Sequence, residues 1–275
     1  MDNSGGQEMI RRFLFLGILF PVVFTIGCGQ GHNKTEENKS SLLPGGPAWA
    51  ALYQQQSGEY RALCYQAYNI ASLRLEQKVK QHSALPKAII TDIDETVLDN
   101  SPYFVSQAKK GLTYSDSSWI AWTAQRKCDT LPGAVRFLKR AKELGVSVFY
   151  VTNRFAEERQ ATLANLKQFD LPDTDNEHLF LMDGGTSSKE KRRQGISKSH
   201  EVILLLGDNL GDFDRDFDEK DPSLRTEQAR KRAGDYGDRF IVFPNAMYGT
   251  WEDVLYGKDE KSTDQKNDIL TNLLK

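Results

Sequence analysis

At 275 residues with 39% hydrophobic and 27% charged side chains, the chain holds enough apolar material for one sizeable core, with length left over for an insertion or tails. Its 36 basic and 38 acidic residues give a formal charge of -2. This removes any global electrostatic basis for binding a nucleic-acid polymer or an acidic surface, so an anion site has to be local.

The first readable element is a leader. Arg11 and Arg12 precede an almost wholly apolar run from Phe13 to Ile26, which Gly27-Cys28-Gly29 cuts off. The run is too short to span a bilayer comfortably, and a basic start, a short apolar centre and small residues at the end describe an export signal over residues 1–27. Thr25-Ile26-Gly27-Cys28 resembles a bacterial lipobox, with Thr25 where Leu is usual. That resemblance implies a mature chain starting at a lipidated Cys28, for which two or three acyl chains give durable membrane anchoring. Gly29 stands where many inner-membrane lipoproteins carry a retention Asp, which favours the outer membrane or cell surface. Residues 28–46 are polar with Gly and Pro and read as a flexible tether. Only Cys64 and Cys128 follow, too few for a disulfide framework; they either pair or remain free buried thiols.

From Ala48 to about His82, helical spacing of Leu52, Tyr60, Leu63, Ala67, Ile70 and Ala71 predicts two helices or one broken at Gly58. After Pro86 come five short apolar runs: Ala88–Ile93, Val146–Val151, His178–Met182, Val202–Leu206 and Phe240–Phe243. Helical patterns over Ala134–Leu144, Ala156–Phe169 and Lys189–Lys198 separate them. Continuous apolar runs alternating with helices predict a parallel sheet covered on both faces, hence an α/β fold: a three-layer, doubly wound sandwich over residues 47–258. An excursion over about residues 101–130, rich in Tyr103, Phe104, Tyr114, Trp119 and Trp122, is placed where a small helical cap would cover a pocket. Its aromatics serve either that pocket or a small core of their own. Residues 259–275 read as a polar tail.

Ligands of open parallel sheets bind beyond the carboxyl ends of strands. Here the first run ends in Asp92-Ile93-Asp94-Glu95-Thr96, the second in Thr152-Asn153-Arg154, and the fourth in Gly207-Asp208-Asn209-Leu210-Gly211-Asp212. Each set alone is an ordinary turn or helix cap; their coincidence at one rim is not. Carboxylates crowded there repel and raise one another's pKa unless a cation neutralises them. Oxygen donors suit Mg²⁺, and the chain lacks the paired His and Cys spacing of a zinc site.

These residues carry a resemblance. Ile90-Thr91-Asp92-Ile93-Asp94-Glu95-Thr96-Val97-Leu98-Asp99-Asn100-Ser101-Pro102-Tyr103 and Ile203-Leu204-Leu205-Leu206-Gly207-Asp208-Asn209-Leu210-Gly211-Asp212-Phe213 are similar to the paired-aspartate signatures of class C bacterial acid phosphatases, lipoproteins of the haloacid dehalogenase-like (HAD) superfamily. The similarity extends over Gln55–Tyr60, Phe149–Arg154 and Pro244–Trp251; Thr91 and Gly211 depart from the family pattern.

The resemblance implies a metal-dependent phosphomonoesterase working through an aspartyl-phosphate. Asp92 would be the nucleophile and Asp94 the general acid and base. One Mg²⁺ per site would be held by the Asp92 carboxylate, the Asp94 backbone carbonyl and Asp208, with Asp212 orienting them. Thr152, Asn153 and a lysine would bind the phosphoryl group; Ser187-Ser188-Lys189-Glu190-Lys191 offers two, and Lys189 matches the family's third motif better. Tyr103, Trp119, Trp122 and Tyr248 are candidates to stack on a flat leaving group such as an aryl ring or the base of a nucleoside monophosphate. Expected partners are therefore small phosphomonoesters and, through Cys28, a membrane; self-association is left open. The competing readings are another HAD phosphotransferase and a surface ligand-binding lipoprotein on the same scaffold.

Overall fold

The computed structural model describes residues 42–43, 45–182, 184–257 and 259–274. The expected leader (1–27), Cys28 and the tether as far as residue 41 lie outside the described residues. Among the described residues no helix is long and apolar enough to cross a membrane.

Helix α1 (Gly45–Gln56) starts just inside the expected tether and is separate from α2 (Gly58–Lys78). The break falls at Ser57, which is extended and accepts the Tyr60 amide hydrogen through its hydroxyl at 3.0 Å. Strand β1 (Lys87–Thr91) leads through β2 (Leu98–Asp99) into the excursion, which contains α3 (Ser101–Lys109) and α4 (Asp116–Thr123). β3 (Asp129–Thr130) pairs antiparallel with β2 and closes its base. Then follow α5 (Ala134–Glu143), β4 (Ser147–Val151), α6 (Arg159–Lys167), β5 (Leu179–Phe180), α7 (Glu190–Ser197), β6 (Glu201–Gly207), α8 (Pro222–Lys231), β7 (Phe240–Val242), α9 (Thr250–Asp253) and α10 (Thr263–Leu273).

The main sheet is parallel, in the order β5-β4-β1-β6-β7. The chain starts at the centre, winds out through β4 and β5, then crosses to β6 and β7, so a switch point lies beside β1. Successive side chains in a strand point to opposite faces. Ile89, Val148, Tyr150, Leu204 and Leu206 accordingly join the core under α2 and α5, while Ala88, Ile90, Phe149, Val151 and Leu205 join the core with Ile196, Phe213 and Phe217 on the other face. Burial on both faces is why these strands read as unbroken apolar runs rather than alternating ones.

Several expectations need amending. The run His178–Met182 contracts to the edge strand β5, and the helix expected from Ala156 opens as a 3₁₀ turn, Ala156–Glu158, before α6. The polar tail over 259–275 carries α10, which Ser262 and Gln265 start by a reciprocal capping box. Its Asn267 accepts the Leu42 amide hydrogen at 2.6 Å. Tyr103, Phe104 and Trp119 form a third apolar cluster with Ala51 of α1 and Met247, so these aromatics pack the excursion against α1 and the segment after β7. Cys64 and Cys128 are both buried and unpaired.

Candidate active site

Strand hydrogen bonding sets the positions of the acidic and polar groups. The Asp92 amide donates to the Leu206 carbonyl at 2.9 Å, the Thr152 amide to Phe180 at 3.0 Å, and the Phe243 amide to Gly207 at 2.9 Å. Asp92, Thr152 and Asp208 therefore share one rim of the sheet, at the carboxyl ends of β1, β4 and β6. Gly207 is required there: a Cβ on it would lie 2.3–2.6 Å from the Asp212 side chain.

Oxygens of Asp92, Asp208 and Asp212 all lie within 4.8 Å of one another. The Lys189 ammonium, at the start of α7, contacts Asp92 Oδ1 and Asp212 Oδ1, each at 2.6 Å. Lys191, the alternative lysine, is exposed. Burial pushes the Asp92 carboxyl up to about 6; Lys189 opposes the rise, while Asp212 and Asp94 add to it. Asp208 is raised well above the carboxylate range by burial and by the charges of Asp212 and Asp92. Desolvation works against the charge on Lys189, yet Asp212 and Asp92 more than offset it and its pKa rises. The Asn245 amide donates to Asp208 Oδ2 at 2.8 Å, and the Asp212 Oδ2 accepts the Asn209 amide hydrogen at 2.9 Å.

Asp94 is turned to other partners. Its Oδ1 accepts from Arg154 Nη2 at 2.7 Å, from Asn100 Nδ2 at 2.8 Å and from Arg154 Nε at 3.1 Å. Its Oδ2 accepts from the same Nε at 3.1 Å and from Thr152 Oγ1 at 3.4 Å. Buried arginines also fasten the surrounding loops. Arg192 donates to the Thr152 carbonyl and to Asn153 Oδ1, both at 2.6 Å; Arg193 reaches the Gly211 carbonyl at 2.7 Å, and Arg225 reaches Asn209 Oδ1 at 2.9 Å. Asn153 is exposed, and its amide nitrogen donates to the Ser187 carbonyl at 2.9 Å, bridging the loop after β4 to the segment before Lys189.

These groups lie along a cavity of about 500 Å³, within the usual range for small-ligand sites. Asp92, Asp94, Thr152, Asn153, Lys189, Asp208 and Asp212 line it. Of the aromatic residues expected in the pocket, Trp119 and Tyr248 contribute to its wall; Phe104 and Tyr114, not singled out as pocket residues, do so as well. Tyr248 stacks on Phe104 with ring centroids 5.0 Å apart, and its hydroxyl donates to the buried Glu95 carboxylate. Tyr103 and Trp122 are not part of that wall: Tyr103 shares a 2.7 Å hydrogen bond with Ser118, and the Trp122 indole donates to Asn100 Oδ1 at 3.0 Å. Asn245 was also missed, although it closely follows β7 and so obeys the strand-end rule that found the others.

The donor set fits a hard divalent cation. Three carboxylates face one another against a single ammonium, and two of them are pushed toward protonation by that crowding and by burial. A cation held by oxygen ligands would relieve this, as Mg²⁺ sites do. Asp212, expected to act at one remove, brings its own oxygen into the cluster.

The chain matches known proteins along most of its length. A family model described as HAD superfamily, subfamily IIIB (acid phosphatase), matches residues 46–251. The class C acid phosphatase from Bacillus anthracis, in its crystal structure with tungstate bound, superposes with a TM-score of 0.81 at 38% identity, covering 85% of this chain and 98% of that one. A second structure of the same enzyme gives a TM-score of 0.81 at 36% identity over the same shares. Among curated proteins, acid phosphatase 1 of Solanum lycopersicum is 26% identical over 133 residues, 45% of this chain and 51% of that protein. A stem 31 kDa glycoprotein of Glycine max is 22% identical over 132 residues, with the same coverage. The chain thus spans about half the length of the curated relatives it matches.

Proposed function

We propose that this chain, which belongs to subfamily IIIB of the HAD superfamily, the acid phosphatases, hydrolyses small phosphate monoesters by covalent transfer of the phosphoryl group to Asp92. The observation that carries the reading is the position of Asp92: at the carboxyl end of β1, 2.6 Å from the Lys189 ammonium and inside the three-carboxylate cluster on the cavity. The tungstate in the Bacillus anthracis enzyme is an oxyanion, which suits a phosphate site on the shared fold.

In this reading an Asp92 oxygen attacks phosphorus as the ester bond breaks, splitting one difficult hydrolysis into two displacements. Asp94 gives its proton to the departing oxygen, then takes one from the water that releases phosphate. Lys189 offsets charge on the phosphoryl oxygens, and Thr152 and Asn153 complete the wall against which they lie. The Asp92 and Asp208 carboxylates and the Asp94 backbone carbonyl would hold Mg²⁺, with Asp212 beside them. Bound there, the ion supplies the positive charge that lets one anion approach another. Phe104, Trp119 and Tyr248 offer flat apolar faces to an aryl or nucleobase leaving group, a mode of contact that tolerates varied rings.

Phosphate release from an aryl phosphate and a nucleoside monophosphate tests this. Turnover is expected with Mg²⁺, to vanish in EDTA and to return on adding the metal. Full activity in EDTA would overturn the metal requirement. No release with metal from acidic to neutral pH would overturn the phosphatase reading in favour of a ligand-binding role.

Export and anchoring through Cys28 are part of the same proposal, supported by Arg11 and Arg12, the apolar run to Ile26 and the small residues before Cys28. Gly29 favours the outer membrane or cell surface. Cells fed labelled palmitate should incorporate it into the wild-type protein and not into Cys28→Ser; equal labelling would remove the anchor from the proposal.

A further inference from the structure

A carboxylic acid that delivers a proton has to keep one oxygen for that proton while the other is held. Asp94 is held in this asymmetric way. Its Oδ1 takes donors at 2.7, 2.8 and 3.1 Å, whereas Oδ2 takes only the shared Arg154 Nε at 3.1 Å and the long Thr152 contact at 3.4 Å. The holding groups are themselves fixed. Arg154 is 2% exposed, its Nη1 donates to Thr162 Oγ1 on α6 at 3.0 Å, and its carbonyl accepts the Met182 amide hydrogen at 3.0 Å. Asn100 is fully buried, and its Oδ1 accepts from the Trp122 indole and the Cys128 thiol, each at 3.0 Å, which turns its amide nitrogen toward Asp94.

We propose that Arg154 is the positioning residue for Asp94: its Nη2 and the Asn100 amide anchor Oδ1 while its Nε is shared between the two oxygens, leaving Oδ2 as the less engaged oxygen to carry the transferred proton. This rests on the phosphatase reading above and specifies how its proton donor is aimed. In the transfer, the ester P–O bond breaks with its electron pair on the leaving oxygen, that oxygen takes the proton from Oδ2, and the new carboxylate is left against a guanidinium already in place. Charge developing beside a fixed opposite charge costs little reorganisation. The benefit is greatest for leaving groups that need a proton and least for those that depart as stable anions.

The test compares glycerol phosphate, with a strongly basic leaving oxygen, against dinitrophenyl phosphate, whose leaving group needs no proton. Arg154→Gln is expected to lower kcat/KM, which reports transfer to Asp92 and not the later hydrolysis of the phosphoenzyme common to both esters, on the order of 100-fold for glycerol phosphate and less than about threefold for dinitrophenyl phosphate. Arg154→Lys keeps the buried charge without the fork and should fall between wild type and Arg154→Gln in this selectivity. It carries the comparison if Arg154→Gln does not fold. A merely structural role would lower both substrates together, and that result overturns the proposal. Asp94→Asn, run alongside, should show the same selective loss. If it instead lowers kcat/KM for both esters equally, the assignment of Asp94 as proton donor fails and this inference with it; if it is selective while the Arg154 variants are not, only the positioning role fails.

Discussion

Asp92→Asn is expected to abolish turnover, lowering kcat on an aryl phosphate by roughly 10⁴-fold or more while the protein stays folded. The amide keeps the shape of the carboxyl and an oxygen for Lys189, so the 2.6 Å contact has a replacement acceptor. It has no anionic oxygen with which to form a bond to phosphorus. Stability should move the other way. Burial and the neighbouring acids already push the Asp92 carboxyl up to about 6, so a neutral isostere removes repulsion from the cluster and should raise the metal-free thermal midpoint. Acid-quenched wild type incubated with ³²P-labelled substrate should retain label that the variant lacks. Activity of the variant within tenfold of wild type would sink the nucleophile assignment.

Lys189→Met is expected to produce the largest loss of stability, on the order of 3–5 kcal/mol in metal-free protein, because it leaves Asp92 and Asp212 buried without their shared counter-charge. Turnover should drop by about 10²–10³-fold, the scale seen when a fixed stabiliser of transition-state charge is deleted. Mg²⁺ should restore part of the stability, since a cation can take over the neutralisation, but not the turnover. Lys191→Met is the control: that side chain is exposed, and its change should stay within about 0.5 kcal/mol. Chemical denaturation of both variants with and without metal separates the cases. Equal behaviour of the two would remove Lys189 from the site.

The two routes by which residues enter this site differ in how far a sequence reports them. Asp92, Thr152 and Asp208 follow strands buried on both faces, and such strands announce themselves as apolar runs whose ends can be counted. Asn245 was reachable by the same rule. Helix α8 was not, because only Arg225 among its residues is buried and a polar segment carries no apolar period. The role of Arg225, holding Asn209 beside Asp208, was hidden with it.

The aromatic residues show the limit from the other side. Tyr103, Trp119, Trp122 and Tyr248 are chemically equivalent candidates for a pocket wall, yet only Trp119 and Tyr248 reach it. Ala51 of α1 and Met247 complete the cluster in which Tyr103 is buried, and Asn100 draws the Trp122 indole inward. Those neighbours come from distant parts of the chain, so no local pattern distinguishes the residues.

What the amino-acid order determined by itself is the layered α/β fold and the acidic rim, because both follow from local periodicity and from the residue that ends each strand. The resemblance favoured Lys189 over Lys191, but the contact of Lys189 with Asp92, the aromatics that face the cavity and the cation that holds Asp94 were decided only by tertiary structure. Lys189 and Asp92 are 97 residues apart, and Arg154 and Asp94 are 60 apart. At such separations partner choice depends on how α7 and the loop after β4 settle against β1, and packing of the whole sheet sets that geometry.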